Sequence, residues 1–302
     1  MDRPKRVDIR FGYSCNNNCI FCIDKDSRNK YPDMTTNQVK LIIKEAAGKG
    51  AEQLTFTGGE PTIRKDIFDL VSYAKSLGFK TIMFTTNARM LSYYPFAKKL
   101  TEVGVNKYMI SLHAHTNELY AKLTQTGGFD QAVQGIRNIV SLQQKICASF
   151  VVNKHNYRIL PEYARFLVTI GITSLLQMTY VMPCGGDLRL NSQNIPSLTD
   201  ATPFIKRTID LRESIGIAEM IVMDVPFCFL QGYEKHINEL NIPHMEIHAA
   251  NPEHSTDDYN LRRKTNKVKP RQCRTCRHDA VCEGVWPEYA EIYGFEELVP
   301  VN

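Results

Sequence analysis

Short β-branched runs alternate with amphipathic helical patterns through the first two-thirds of the chain, and this alternation limits the available folds more than any other feature. Residues 7–11, 53–57, 80–85, 107–112, 146–152 and 175–181 read as six strands. Between them, Val39, Ile42, Ile43, Ala46 and Ala47 recur at the spacing of a core-facing helix, opened by a Thr35/Gln38 capping box and stopped by Gly48 or Gly50. Ile67, Leu70, Val71, Ala74 and Leu77 repeat the logic between Asp66 and Gly78, Val133, Ile136, Ile139 and Val140 make a third stripe, and a fourth helix around 163–170 ends at Gly171. Strand, helix, strand in repetition demands parallel pairing with right-handed crossovers, which builds an open doubly wound sheet or a full or partial barrel.

After a helix near 199–215 the alternation fails. The chain from 217 reads as irregular, so the expected division is a barrel-type unit over 1–216 and a small unit over 217–302. The uncharged stretch 166–186 is long enough to suggest a membrane span, but it contains Thr169, Gly171, Thr173, Ser174, Gln177 and Pro183 and reads as a helix end, a turn and a buried strand. The opening MDRPKRVDIR has no apolar secretory core, which points to a cytoplasmic protein with no membrane partner.

In parallel α/β folds, chemistry collects at the C-terminal ends of the strands. The informative residues fall there: Cys15, Cys19 and Cys22 after the first strand, Gly58-Gly59-Glu60 after the second, His113 and His115 after the fourth, Asn153 after the fifth and Cys184-Gly185-Gly186 after the sixth. Nine cysteines are an odd number, and in a reducing compartment that favours metal ligation or catalysis over a disulfide framework. Cys15-x3-Cys19-x2-Cys22 offers three thiolates. They suit one zinc completed by a distant ligand, or three corners of an iron–sulfur cube whose fourth iron stays open to a substrate or cofactor.

Cys15-x3-Cys19-x-Phe21-Cys22 followed by Gly58-Gly59-Glu60-Pro61 resembles the radical S-adenosylmethionine superfamily, whose motif is CxxxCxΦC with a later GGE(P). The resemblance covers roughly residues 6–216. It implies a partial (β/α)6 TIM-type barrel in which Cys15, Cys19 and Cys22 hold a [4Fe-4S] cluster whose open iron chelates S-adenosylmethionine. One electron, from a low-potential donor such as flavodoxin or ferredoxin, then generates a 5′-deoxyadenosyl radical that abstracts a substrate hydrogen. Gly58, Gly59 and Glu60 would form the methionine amino-group site, where the missing Cβ atoms let backbone approach a ligand closely. Phe21 would lie near the adenine or shield the cluster from water. Ser111 and Asn153 resemble positions that contact the cofactor's carboxylate and ribose, although such residues also cap turns.

The later group Cys273-x2-Cys276-x5-Cys282 resembles the CX2CX5CX3C segment of SPASM-type domains, with Trp286 where a further cysteine is expected. Cys228 supplies a fourth thiolate, so the resemblance implies a shortened, twitch-like domain with one auxiliary [4Fe-4S] cluster; by spacing alone, zinc fits as well. Cys184 would be a hydrogen-atom donor to a substrate radical, an alternative ligand of that cluster, or a small packed residue beside a glycine turn. Cys147 reads as core. His113 and His115 are proton-transfer or structural residues, and His236, His244, His248 and His254 show no metal-ligand spacing.

The formal charge of +5 is concentrated in 262–274, which holds seven of the 37 Lys and Arg and no acid, leaving 30 against 32 Asp and Glu elsewhere. That run is either an anion footprint or a solvated linker. The expected substrate is a ribosomally made peptide, crosslinked or epimerised with the help of a separate leader-peptide recognition protein. The alternative is a nucleotide or sugar phosphate, an anionic small molecule that the basic run would hold. A non-catalytic zinc and nucleic-acid binding protein is the rival from another class.

Overall fold

The six expected strands form as β1 (Arg6–Arg10), β2 (Gln53–Thr57), β3 (Thr81–Thr86), β4 (Lys107–Ser111), β5 (Lys145–Val152) and β6 (Leu175–Tyr180). The computed structural model describes residues 4–183 and 194–302. Two further strands, β7 (Glu219–Met223) and β8 (Met245–Ala249), come from the segment read as irregular. All pair in parallel, in the order β7-β6-β5-β4-β3-β2-β1-β8, so the sheet has eight strands rather than six and stays open between β7 and β8. The sheet therefore runs on past residue 216.

Both added strands are five residues long, and β8 carries Glu246 and His248, which mask its strand pattern. Glu246 is nevertheless buried. Lys49 lies 2.8 Å away at the C-terminal end of α1 (Thr36–Gly48) and compensates its charge.

The helical stripes form as read, except that Leu77 falls just past its helix and is exposed. Thr35 and Gln38 make the reciprocal capping box of α1, and Val39, Ile43 and Ala46 are buried against the sheet. Ile67, Leu70, Val71 and Ala74 do the same on α2 (Ile67–Ser76). Helices α3 (Tyr94–Val103), α4 (Asn117–Thr124), α5 (Phe129–Ser141), α6 (Leu160–Thr169) and α7 (Leu198–Ile215) continue the outer layer. The tail adds α8 (Tyr259–Asn266) and α9 (Pro287–Tyr293). Among the described residues, no helix is long and apolar enough to cross a membrane.

Strand residues that face the helices are large and apolar, as with Val7, Ile9, Leu54, Phe56, Ile82 and Phe84, all essentially inaccessible to solvent. Burying each contributes about 1.5–3 kcal/mol. The alternate positions face inward and mix polar residues, among them Thr57, Thr85, Ser149 and Gln177, with the methionines Met83, Met109 and Met223. A closed eight-stranded barrel fills its interior with branched aliphatic side chains; here the inward residues leave an open lumen.

Candidate functional site

Cys15, Cys19 and Cys22 stand on the loop leaving β1, and polar residues around them hang that loop in place. Asn18 N donates to Thr124 O at 2.8 Å and Ile20 N to Leu123 O at 3.0 Å, fixing the loop to the end of α4. Arg89 Nη1 donates to Asn17 Oδ1 at 2.8 Å and Asn87 Nδ2 to Asn16 Oδ1 at 2.7 Å, so the asparagine run is a set of tethers. Cys15 Sγ accepts from the Asn17 amide at 3.4 Å.

Burial, then Cys22 and Cys15, push the Cys19 thiol up to about 12, and burial likewise raises Cys15 and Cys22. Three sulfurs sunk together in one wall fit a metal centre, because coordination supplies the positive charge that thiolates lack there.

Across the cavity, the Gly58-Gly59-Glu60 segment is stitched to the cysteine loop. Gly59 N donates to Gly12 O and Glu60 N to Ser14 O, each at 2.8 Å. A Cβ on Gly58, whose φ is +113°, would sit 2.4 Å from Gly12 O, and one on Gly59 would sit 2.0 Å from Ser14 O. The glycines thus permit two loops to meet backbone to backbone, beyond the approach to a ligand that the sequence suggests.

Glu60 is 3% exposed. Its Oε1 accepts from Thr62 N at 3.1 Å, Thr62 Oγ1 at 2.6 Å and Thr86 Oγ1 at 2.6 Å, and its Oε2 accepts from Asn87 N at 2.8 Å. Burial raises its pKa against these four bonds. The carboxylate therefore locks the ends of β2 and β3 together while the residue still lines the cavity.

This cavity, of about 340 Å³, brings together Cys15, Cys19, Cys22, Phe21, the Gly58–Glu60 segment and Ser111. Phe21 is buried, with its ring edge-on to His113 at 4.8 Å. Asn153 does not line it. Its Oδ1 accepts from His155 N and its Nδ2 donates to Val151 O, so the expected cofactor contact gives way to a turn after β5, and Ser149 and Val151 face the cavity instead. His113 Nδ1 accepts from Val151 N at 3.1 Å, and burial lowers its pKa to about 3. The ring is neutral with its proton on Nε2, a donor only. His115 stays outside, near Phe166.

A second chamber of about 440 Å³ extends toward the N-terminal halves of the strands, and it shares Thr57, Thr85, Ser149, Gln177, Met223 and Tyr259 with the first. These inward positions went unread in the sequence. Their signal is strand alternation in which the face away from the helices is polar.

Cys228, Cys273, Cys276 and Cys282 line one small pocket near Asp279, although the first lies 45 positions before Cys273 in the chain. Burial, then Cys282, Cys273 and Cys276, push the Cys228 thiol up to about 12. Trp286 lines the second chamber. Cys147 is buried core, and Cys184 lies outside the described residues.

The basic run is not a loose, solvated linker. Arg263, 2% exposed, pairs with Glu283, and Lys267 bridges Asp224 at 2.6 Å and Glu283 at 2.9 Å. Lys269 pairs with Asp279 at 2.6 Å. Acids distant in sequence neutralise nearly half of the run. Burial works against the Lys267 charge, but Asp224 and Glu283 overcome it and raise its pKa. Burial and Asp224 push Glu239 up to about 7.

Several known proteins are similar to this chain in sequence or in fold. Over 168 residues the chain is 29% identical to the probable GTP 3′,8-cyclase of Sulfurisphaera tokodaii, covering 55% of this chain and 53% of the relative. The probable GTP 3′,8-cyclase of Saccharolobus islandicus is 28% identical over the same length, 55% of this chain and 54% of the relative. The chain spans about half the length of the curated relatives it matches. In fold, Streptococcus suis SuiB bound to S-adenosylmethionine superposes with a TM-score of 0.70 at 15% identity, covering 96% of this chain and 74% of that one. Methylornithine synthase (PylB) does so at 0.55 with 18% identity, covering 95% and 84%. The Radical SAM superfamily model matches residues 9–167, more than half of the chain, and this shows that the protein belongs to the radical S-adenosylmethionine superfamily.

Proposed function

We propose that the enzyme takes a hydrogen atom from a compact substrate enclosed in the barrel lumen, a nucleotide or sugar phosphate rather than an extended peptide. The observation that carries this reading is the continuity of the two chambers, which places a lumen-bound molecule against whatever the cysteine-lined cavity holds. A volume of about 440 Å³ is that of a small-molecule site.

When bound, S-adenosylmethionine and the [4Fe-4S] cluster supply a 5′-deoxyadenosyl radical. Cys15, Cys19 and Cys22 would hold the cluster, and Phe21 with His113 would keep water from it. Gly58, Gly59, Glu60 and Ser111 would shape the cofactor's seat, with a flavodoxin- or ferredoxin-type donor supplying the electron.

The pocket of Cys228, Cys273, Cys276 and Cys282 we assign to one auxiliary [4Fe-4S] cluster. A tetrahedral zinc with bonds of about 2.3 Å would hold its sulfurs roughly 3.8 Å apart. The four cysteines around one pocket supply the ligand count of either centre, and the likeness of their spacing to auxiliary-cluster domains favours the cluster.

Iron and sulfide content with an EPR spectrum of the dithionite-reduced, anaerobically reconstituted protein tests the assignment. About eight irons per chain and a spectrum perturbed by S-adenosylmethionine are expected. About four irons would remove the auxiliary cluster, and zinc with no iron would overturn the reading. Assays for 5′-deoxyadenosine with nucleotides, sugar phosphates and peptides then separate the substrate classes, and turnover of a peptide alone would refute the compact substrate.

A further inference from the structure

The lower chamber has an unbalanced hydrogen-bond inventory. Four arginines line it: Arg6, Arg10, Arg262 and Arg263. Arg6 pairs with Asp8 at 2.6 Å, Arg10 with Asp24 at 2.7 Å, and Arg263 with Glu283. Arg262 is half-buried at the start of the basic run, and no carboxylate among the described residues pairs with it. Its charge reaches His254, another lining residue.

Arg263 uses only one nitrogen on Glu283, so its buried Nε and Nη1 have no acceptor. Trp286, on the same wall, has a buried Nε1 that is likewise without one. Guanidinium and indole are donors only. A buried donor without an acceptor costs about 1–3 kcal/mol, and natural structures keep few of them. Unmet donors beside an uncompensated positive charge complement an oxyanion and repel an amine or a metal ion.

We infer that Arg262, Arg263 and Trp286 form an anion-recognition subsite in the lower chamber, which grips a phosphate or carboxylate group of the substrate and orients the rest of it toward the cysteine-lined cavity. This rests on the reading that the lumen holds the substrate. It also names a specificity device: a neutral analogue leaves Arg262 and the buried donors unpaired, so selection against it is strong. The neighbouring ion pairs Arg6–Asp8 and Arg10–Asp24 contribute shape without net charge.

Calorimetric titration of the anaerobically reconstituted full chain with inorganic pyrophosphate and, separately, with glutarate reads the subsite without turnover. Saturable binding of one probe is expected, and which one it is identifies the group as phosphate or carboxylate. Arg262→Gln should weaken that binding at least tenfold, and Trp286→Phe, which keeps the ring's bulk but loses its donor, about three- to tenfold. Arg274→Gln, an exposed position of the same basic run, should leave it unchanged. No saturable binding of either probe, or an equal loss in Arg274→Gln, overturns the subsite. Reductive cleavage of S-adenosylmethionine by the unsubstituted protein is scored in parallel. Cleavage without anion binding sinks the subsite alone, whereas anion binding without cleavage sinks the radical reading and leaves the subsite standing.

Discussion

Thr86 Oγ1 donates to Glu60 Oε1 across 2.6 Å, and through that bond the end of β3 sets the position of a carboxylate on the loop that leaves β2. With Thr62 and Asn87 as the other donors, Glu60 faces four hydrogens, and no cation among the described residues pairs with it. Glu60→Gln turns one acceptor into a donor aimed at donors. It should cost about 1.5–3 kcal/mol in urea unfolding. An unchanged midpoint would mean that the carboxylate's charge is not what holds the two strand ends.

Gly59→Ala and Gly48→Ala should act in opposite directions. At Gly59 a methyl group would lie 2.0 Å from Ser14 O, so the cysteine loop must shift, at a cost of about 1–3 kcal/mol and with loss of iron from the cavity site. At Gly48, the last residue of α1, nothing lies within 4 Å, and alanine should stabilise by about 0.5–1 kcal/mol. Iron content and thermal melts of the two variants report both effects.

The two thiol groups should lose metal independently. Cys228→Ala should lower iron from about eight to about four per chain while the S-adenosylmethionine-sensitive EPR signal survives, whereas Cys19→Ala should remove that signal. Simultaneous loss in either variant would show that the centres are not separate.

His113 makes acid destabilising. Its folded pKa of about 3 lies below the unfolded value of about 6.5, because burial disfavours the imidazolium. The unfolded chain takes up the proton first, so this contribution is complete above pH 6.5 and is lost as pH falls toward 3, at up to about 1.4 kcal/mol per unit. Urea midpoints at pH 7.5 and 5.5 should differ more in the parent than in His113→Gln, whose amide oxygen still accepts from Val151. Equal differences would assign the acid sensitivity to other groups.

Lys267→Met leaves Asp224 and Glu283 buried without their shared ammonium and should destabilise by about 3–5 kcal/mol. Lys269→Met, at a more exposed pair with Asp279, should cost no more than about 1 kcal/mol, and similar costs for the two would contradict the burial argument.

Local patterns were legible wherever one segment carries its own signal. The stripe of α1, its capping box and the close spacing of Cys15, Cys19 and Cys22 depend on neighbours in sequence, and each forms as read. The reading weakened where a residue's partner is distant. Glu246 hid β8 because its charge is answered by Lys49, nearly two hundred residues earlier. Asn153 stood at a suggestive strand end, but Val151 and His155 claim its side chain.

The parallel α/β class, the family and the clustering of Cys15, Cys19 and Cys22 are legible in the chain itself, because periodicity and short spacings are local properties. The fold had to show that β7 and β8 extend the sheet, that Glu246 meets Lys49, and that the basic run turns inward onto Asp224 and Glu283, while it brings Cys228 to Cys273, Cys276 and Cys282 as their grouping in sequence suggests. Each of these is a pairing across long stretches of chain, set by which buried charge or thiol finds a partner in three dimensions. A count of residues records how many such groups exist, and folding alone settles which of them meet.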